Sequence, residues 1–425
     1  MRLPGFVMIV SSYSNKQARA PFVLGFEVTW QMQNRLKHCI NTLRGRTSPI
    51  CHNSRKVLTL MQPSTLATFV HTRTTHPTAQ AAREAVLANP GFGKYYSDHM
   101  VAIDWDAEHD WHGARVTPYA PLTLDPASLV LHYAQAVFEG LKAYRHADGS
   151  IWTFRPEVNA QRFSHSAERL GLPDLPHDLF LQSLKELVKL DCDWVPNAVE
   201  SSLYLRPFMI ANENSLSVRG ADKVAYYVIG SPAGPYFSSG VTPVPIWVST
   251  QRTRAARGGT GYAKCAGNYA GSLAPLKDAR KNGCPQVLFL DSEHGQYLEE
   301  LGGMNIFVVQ KDGSLVTPAL SDSILPGVTR ASIIELARAE GRTVHERPIS
   351  LTEVRDGLAS KQITELFACG TAALIFPISA LKSEEFSYGN DSTVAGPVTL
   401  ALRQQLLDIQ YGITADARNW MVRLA

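Results

Sequence analysis

A single lysine between two glycine-containing turns is the residue of this chain best placed to do chemistry. Lys264 lies in the segment GGTGYAKCAGNYAGS, residues 258–272. Glycine has no side chain, so a ligand or another backbone can approach such a segment closely. A lysine amine forms a Schiff base with a carbonyl compound, and it acts as a base where burial or a nearby cation lowers its pKa. Glycine-rich runs are also common turn signals, so a solvated lysine between two turns is the alternative.

Two further segments could supply an acid and an anion site. Glu299 and Glu300 precede a Gly-Gly turn and a predicted strand at residues 305–309. Either carboxylate could be functional, although most glutamates are simply exposed. The segment ILPGVTR, residues 324–330, predicts the start of a helix, where the backbone N–H groups of Val328 and Thr329 would favour an anion. Many helices start in this way with nothing bound.

The block around Lys264 resembles the cofactor-lysine segment of the branched-chain amino acid aminotransferases, which are pyridoxal phosphate (PLP) enzymes of fold type IV. Further segments resemble motifs of the same family in the same order, namely FEGLKAY at 138–144, LYLRP at 203–207, ELGGMN at 300–305 and IQYG at 409–412. The resemblance covers roughly residues 92–420. It implies that Lys264 carries the cofactor and then serves as the base, and it selects Glu300 over Glu299 as the partner of the pyridine nitrogen.

The same resemblance assigns roles to other residues. The cofactor-binding residues that it implies are Arg162, Lys264, Tyr269, Glu300, Val328, Thr329 and Thr371. The substrate-binding residues that it implies are Tyr133, Phe138, Tyr204, Arg206, Tyr236 and Ala372. Tyr133 would reach in from a second copy of the chain, so a homodimer or a higher homo-oligomer is expected.

The expected reaction moves the amino group of L-leucine, L-isoleucine or L-valine to 2-oxoglutarate, in a ping-pong sequence through pyridoxamine phosphate. A D-amino acid aminotransferase or an aminodeoxychorismate lyase would share the fold, the lysine and the phosphate site. The segments at 138–144, 203–207 and 409–412 argue against both. A non-catalytic protein that binds nucleotides or phosphate through its glycine-containing loops is the alternative outside the enzymes.

Composition excludes several other classes. The chain has 425 residues, 45% hydrophobic content and a net charge of +3, which gives no argument for a nucleic-acid or membrane-surface partner. No run of about 18 apolar residues predicts a membrane span. The cysteines lack the spacing of a metal site, so we expect free thiols and no metal.

The first 60 residues differ from the rest, because Glu27 is their only acid. Such an acid-poor segment is either a mitochondrial transit peptide or an extension upstream of a true start at Met61. The second interpretation is favoured slightly, since no helical periodicity is sustained there. We therefore expect a poorly ordered leader and a cytoplasmic enzyme, or a mitochondrial one if the segment is a transit peptide.

The elements predict an α+β protein of PLP fold type IV, similar to D-amino acid aminotransferase, with a smaller N-terminal α/β domain and a larger C-terminal domain. We expect the smaller domain at 61–232, a Gly- and Pro-rich linker at 233–243 and the larger domain at 244–425. Consecutive strands without helices between them predict an antiparallel sheet, which includes a hairpin of 140–145 with 150–154. Helices are expected at 79–87, capped by Thr78, at 159–171 and at 178–190.

Overall fold

The computed structural model describes residues 67–236, 241–389 and 393–425. All of them belong to one compact unit, Thr65–Ala425. The predicted leader and start lie outside the described residues, as do residues 237–240 of the predicted linker. Within the part of the chain that is described, no helix is long and apolar enough to cross a membrane.

The first of two nine-stranded sheets is built almost wholly from the first half of the chain. Its strands are β1 (Val70–His71), β2 (His99–Asp106), β3 (Asp110–Pro118), β4 (Ala136–Phe138), β5 (Leu141–Arg145), β6 (Ile151–Phe154), β7 (Ser202–Ala211), β8 (Lys223–Ala233) and β18 (Met421–Arg423). The order is β1-β3-β2-β8-β7-β5-β6-β18, with β4 beside β7. Apart from the parallel pair β1–β3, neighbours run antiparallel, which confirms the predicted sheet and its hairpin.

The second sheet also has nine strands. They are β9 (Val244–Ser249), β10 (Gln286–Leu290), β11 (Leu298–Leu301), β12 (Asn305–Gln310), β13 (Leu315–Thr317), β14 (Val344–Glu346), β15 (Ile363–Gly370), β16 (Leu374–Lys382) and β17 (Ser387–Gly389). The order is β11-β10-β9-β16-β15-β12-β13-β14, with β17 beside β16. The first strand of this order, β11, also pairs with β12. The strands from β11 to β12 therefore form a closed ring.

Helices flank both sheets. In chain order they are α1 (Gln80–Ala88), α2 (Leu129–Tyr133), α3 (Pro156–Arg169), α4 (His177–Leu190), α5 (Ala266–Gly271), α6 (Leu273–Lys281), α7 (Val328–Ala339), α8 (Leu351–Ala359) and α9 (Pro397–Gln410). The three helices predicted in the first half of the chain are confirmed as α1, α3 and α4. The mixture of sheets and helices confirms the α+β class.

The predicted cap of α1 is wrong. Ala79 occupies the cap position, and no side chain caps the helix. Thr78 instead donates its hydroxyl to Asp98 Oδ1 at 2.6 Å. The helix begins at Gln80, so Thr78 lies one residue before the cap position. Asp98 lies 20 residues away in sequence, so local pattern could not reveal its contact with Thr78.

An aromatic cluster fixes helix α3 against the first sheet. The ring centroid of Phe163 lies 5.5 Å from that of Phe180 on α4 and 5.6 Å from that of Tyr226 on β8. All three side chains are fully buried. The packing of Phe163 fixes the rotation of α3, and therefore the direction in which the neighbouring Arg162 points.

Candidate active site

Residues from both sheets line a cavity of about 200 Å³. It brings together most of the residues singled out from the sequence, which are Phe138, Arg162, Tyr204, Arg206, Lys264, Tyr269, Glu300, Val328, Thr329, Thr371 and Ala372. These residues are spread over more than half of the chain, so their convergence is a property of the fold and not of local sequence. Larger hollows occur elsewhere on the described surface, but this one holds the reactive lysine.

Lys264 is held by its backbone on both sides. Its N–H donates to Ser166 Oγ at 2.9 Å, and its carbonyl accepts the N–H of Phe138 at 3.0 Å. Both partners belong to the first-half elements α3 and β4. The side-chain Nζ donates to the hydroxyl of Tyr269 at 2.9 Å. The lysine head is therefore positioned inside the cavity while its backbone is anchored to the first sheet.

Glu300 is the acid on the opposite wall. It is 2% exposed, at the end of β11. Its Oε1 accepts the N–H of Leu325 at 2.8 Å and lies 2.9 Å from a guanidinium nitrogen of Arg254. Asn305 donates to Oε2 at 3.2 Å. Burial raises the pKa of the Glu300 carboxyl to about 7, although Arg254 and the Leu325 N–H oppose the rise. This carboxyl can therefore hold or release a proton near neutral pH.

A second buried carboxylate, which the sequence analysis missed, holds Arg162. Glu139 is fully buried and accepts from Arg162 Nε at 2.7 Å and from its terminal nitrogen at 2.8 Å. Asn159 donates to Glu139 at 2.7 Å. Burial alone would raise the pKa of this carboxyl, but the charge and hydrogen bonds of Arg162 hold it below its usual range. The signal was available, because Glu139 is the acid of the FEGLKAY segment.

An anion cradle forms where α7 begins. Gly327 is the cap residue of this helix and, as a glycine, has no side chain with which to bond the first N–H groups. Val328, Thr329 and Arg162 line the cavity beside it. A Cβ on Gly327 would clash with Asn305 Oδ1, so a larger residue there would force the Asn305 side chain to move. Free N–H groups at a helix N-terminus and a guanidinium are donors that suit a phosphate.

An aromatic wall with one cation forms another side of the cavity. The guanidinium carbon of Arg206 lies 4.8 Å from the ring centroid of Phe138 and 5.3 Å from that of Tyr204. Arg206 also donates to the Tyr204 hydroxyl at 3.3 Å. Its Nε is buried, and no hydrogen-bond partner for it occurs among the described residues. The wall can accept an apolar side chain and still offers a donor for a carboxylate.

Two tyrosines predicted for the substrate do not line the cavity. Tyr133 is 42% exposed and donates its hydroxyl to Leu216 O at 2.6 Å. Tyr236 is 43% exposed, and its ring packs edge-on against Phe376 with centroids 5.5 Å apart. The role expected of Tyr133 requires a second copy of the chain, so it stays a prediction.

The donors and acceptors present fit pyridoxal phosphate. An uncapped helix start beside Arg162 suits its phosphate group, a buried carboxyl suits its ring nitrogen, and the Lys264 amine suits its aldehyde. Phe138 and Tyr269 add aromatic surface, with centroids 4.8 Å apart. The chemistry of the cavity thus matches the whole of one cofactor and not only its anion.

Comparison with known proteins agrees with this geometry. Residues 136–381 match the family described as Amino-transferase class IV. The chain is 50% identical over 360 residues to a branched-chain-amino-acid aminotransferase of Mycolicibacterium smegmatis, covering 84% of this chain and 98% of that protein. It is 45% identical over 335 residues to branched-chain-amino-acid transaminase 1 of Bacillus subtilis, covering 79% and 94%.

Solved structures similar to this chain are also branched-chain amino acid aminotransferases. The branched-chain amino acid aminotransferase of Escherichia coli matches with a TM-score of 0.64 and 26% identity, covering 77% of this chain and 99% of that one. The enzyme of Thermobaculum terrenum in its PLP form matches with a TM-score of 0.63 and 25% identity, covering 77% and 98%. The chain therefore belongs to the class IV aminotransferases. Within that class its place is among the PLP-dependent branched-chain-amino-acid aminotransferases, and the predicted fold type, activity and cofactor are confirmed.

Proposed function

We propose that this enzyme transfers the amino group of L-leucine, L-isoleucine or L-valine to 2-oxoglutarate, and that the two half-reactions alternate at one site. The observation that carries this proposal is the aromatic wall of Phe138 and Tyr204 with Arg206 beside it. Phe138 and Tyr204 suit a branched apolar side chain, whereas Arg206 suits the second carboxylate of glutamate or 2-oxoglutarate. One pocket can then serve both substrates in turn.

The chain's own residues supply the proton transfers. PLP, when bound, supplies a ring that accepts electrons from the substrate's Cα. Lys264 Nζ is the base that removes the proton from that carbon, and the Tyr269 hydroxyl at 2.9 Å orients the amine. Glu300 would hold a proton at the ring nitrogen, a task that fits a carboxyl whose pKa lies at about 7. Arg162 and the first N–H groups of α7 would bind the phosphate.

We also propose a homodimer in which Tyr133 contacts the substrate of the partner. Support comes from exposed apolar surface on α2, where Leu131 is 57% exposed and Tyr133 is 42% exposed. Large exposed apolar side chains that lie close together mark interaction surfaces. The small N-terminal domain at 61–232, the larger domain at 244–425 and a cytoplasmic location stay predictions from the sequence.

Product analysis tests the proposed reaction. With L-leucine and 2-oxoglutarate, we expect equal amounts of the branched 2-oxo acid and L-glutamate. With L-leucine alone, the 2-oxo acid should stop at one equivalent per cofactor, as a ping-pong sequence requires. D-leucine is the matched control and should give no product. Equal turnover of the two enantiomers, or no half-reaction without 2-oxoglutarate, would contradict the proposal.

A further inference from the structure

A cluster of possible metal ligands lies on the hairpin that joins β2 to β3. Asp106, His109 and His112 each offer one ligand atom, and these atoms lie within 4.8 Å of one another. His109 Nδ1 is 2.9 Å from Asp106 Oδ1, and His112 Nε2 is 3.8 Å from Asp106 Oδ2. None of the three lines the cavity of Lys264. The sequence analysis expected no metal, because it considered the spacing of cysteines and not this Asp-x-x-His-x-x-His pattern.

Strand register places the ligands on one face. Asp104 pairs with His112, and Asp106 pairs with Asp110, across the antiparallel β2–β3 ladder. Side chains two residues apart on a strand share a face, so Asp106 and His112 are diagonal neighbours on the same side of the hairpin. The loop then returns His109 over the same carboxylate. The ladder therefore places Asp106 and His112 on one face, and the loop between the strands places His109 beside them.

His112 presents a lone pair to the centre of the cluster, whereas His109 Nδ1 donates a hydrogen bond to Asp106 Oδ1 at 2.9 Å, so an ion bound there replaces that proton. His112 Nδ1 lies 2.8 Å from the carbonyl oxygen of Asp110, and a carbonyl can only accept, so Nδ1 carries a proton. In the neutral ring Nε2 then has a lone pair, next to a carboxylate oxygen 3.8 Å away. Two acceptors in that position suit a cation between them, which can bind both. A histidine whose other nitrogen is held by a carbonyl is the arrangement that metal sites use.

The carboxylate is fixed in the same way. Asp106 Oδ1 accepts the backbone N–H groups of Glu108 at 3.0 Å and of His109 at 2.8 Å. Ligands of one ion at bond lengths of about 2.0–2.2 Å lie about 3–3.5 Å from one another. The observed separations from Asp106 lie close to that range, so small rotations of exposed side chains complete the geometry.

We propose that Asp106, His109 and His112 bind one divalent transition-metal ion of the Zn²⁺ type. Two imidazole nitrogens and one carboxylate suit zinc, nickel or copper, whereas calcium and magnesium prefer all-oxygen sites. The side chains of His109 and His112 are 60% and 41% exposed, so water completes the coordination. The ion fixes the end of the β2–β3 hairpin and takes no part in transamination.

Calorimetric titration of the untagged, full-length holoenzyme with ZnCl2 tests the site. The variants are His112→Ala and Asp106→Asn, and the control is His76→Ala, which removes an exposed histidine outside the cluster. We expect the wild type and the control to bind Zn²⁺ alike, and each cluster variant to lose at least about tenfold in affinity for one ion per chain. Zn²⁺ should also raise the Tm of the wild type and the control only.

Two outcomes would overturn the proposal. If His112→Ala and Asp106→Asn bind Zn²⁺ as tightly as the control, the ion is held elsewhere on the chain. If no protein binds it, the cluster is a set of hydrogen bonds at the end of the hairpin and holds no ion. MgCl2 gives a further check, because binding of Mg²⁺ as strong as that of Zn²⁺ would contradict the ligand chemistry. Transamination by His112→Ala should equal that of the wild type, which separates this site from the active site.

Discussion

Two buried glutamates in the active-site region, Glu139 and Glu300, face arginines and reach opposite protonation behaviour. Both are at most 2% exposed. Glu139 accepts a bidentate hydrogen bond from Arg162, and the pKa of the Glu139 carboxyl lies below the usual range. Glu300 lies 2.9 Å from Arg254, yet its pKa rises to about 7.

The difference lies in where each arginine makes its hydrogen bonds. Arg162 donates hydrogen bonds from two of its nitrogens to Glu139. Arg254 donates instead to the carbonyl oxygens of Gly261 and Ser323, and the neighbouring Glu299 adds a like charge that raises the pKa of Glu300. A nearby opposite charge therefore does not by itself keep a buried carboxyl ionised. At Glu139 the charge and the hydrogen bonds of Arg162 together outweigh burial, whereas at Glu300 the charge of Arg254 and the Leu325 N–H do not. Glu139 is a fixed anion that orients Arg162, whereas Glu300 can exchange a proton.

Removal of Lys264 is expected to have the largest effect. Its charge lowers the pKa of both glutamates, and its amine is the proposed base. Lys264→Ala should reduce the rate of transamination of L-leucine by at least about 10³-fold, since both the covalent link and the base are lost. Steady-state kinetics measures this loss. Lys277→Ala, which removes an exposed lysine of α6, is the control, and an equal loss in both variants would contradict the assignment.

Glu139→Gln should lower the stability of the fold by about 3–5 kcal/mol, because it leaves the buried Arg162 without a charged partner. Urea unfolding followed by circular dichroism measures the change. Glu186→Gln is a matched control, since that carboxylate pairs with the half-exposed His71 at the surface. If Glu139→Gln lowers the free energy of unfolding no more than the control does, the buried ion pair with Arg162 does not stabilise the fold as proposed.

The two glutamates should also give opposite dependence on pH in enzyme freed of cofactor. The folded pKa of Glu300, about 7, exceeds its ordinary value of 4.5, so this group favours the folded state below pH 4.5 and loses that contribution as the pH rises to 7. The free energy of unfolding of Glu300→Gln, relative to that of the wild type, should therefore rise by up to about 3 kcal/mol from pH 5 to pH 8. The folded pKa of Glu139 lies below 4.5, so its contribution is complete above that pH and is lost only in more acidic solution.

Thermal unfolding at pH 5 and pH 8 compares these two variants. The gap between Glu139→Gln and the wild type should stay constant over this interval, while the gap for Glu300→Gln should change. Parallel curves for both variants would show that the two carboxyls titrate alike, and the contrast between them would then fail.

Gly327→Ala is expected to have the smallest effect. The added Cβ would clash with Asn305 Oδ1, and Asn305 donates to Glu300, so the change reaches the acid through its neighbour. We expect about a tenfold loss in affinity for PLP, which corresponds to about 1.4 kcal/mol. Fluorescence titration of the apoenzyme measures it. Gly267→Ala is the control, because no atom lies within 4 Å of its added Cβ. Similar losses in both variants would show that the clash with Asn305 is not what weakens PLP binding.

Sequence reasoning recovered much of the active site but not the state of its acids. Lys264 and the start of α7 were predicted from short glycine-containing segments, and Glu300 was selected over Glu299 by the family resemblance; the structure brings all three to one cavity. Whether a carboxyl is ionised depends on partners far along the chain. Arg162 is 23 residues from Glu139, and no local pattern encodes that distance.

The same reason explains what was missed in the fold. The hairpin of β5 with β6 was predicted because its Asp-Gly turn is local. Strand β18 was not, since Met421–Arg423 forms a strand only through its pairing with the distant Ile151–Phe154. The predicted cap of α1 by Thr78 was wrong for the same reason, because Thr78 is bonded to the distant Asp98 and the helix begins one residue later.

The pairing of β18 with β6 also bears on how the protein is made. Every other strand of the first sheet lies before residue 234, so a ribosome releases the whole second sheet before it releases β18. Until then β6 presents unpaired N–H and C=O groups along one side, and such edges recruit foreign strands. A first half that folds before β18 is released therefore has an open edge at β6, which closes only when the last residues of the chain pair with it.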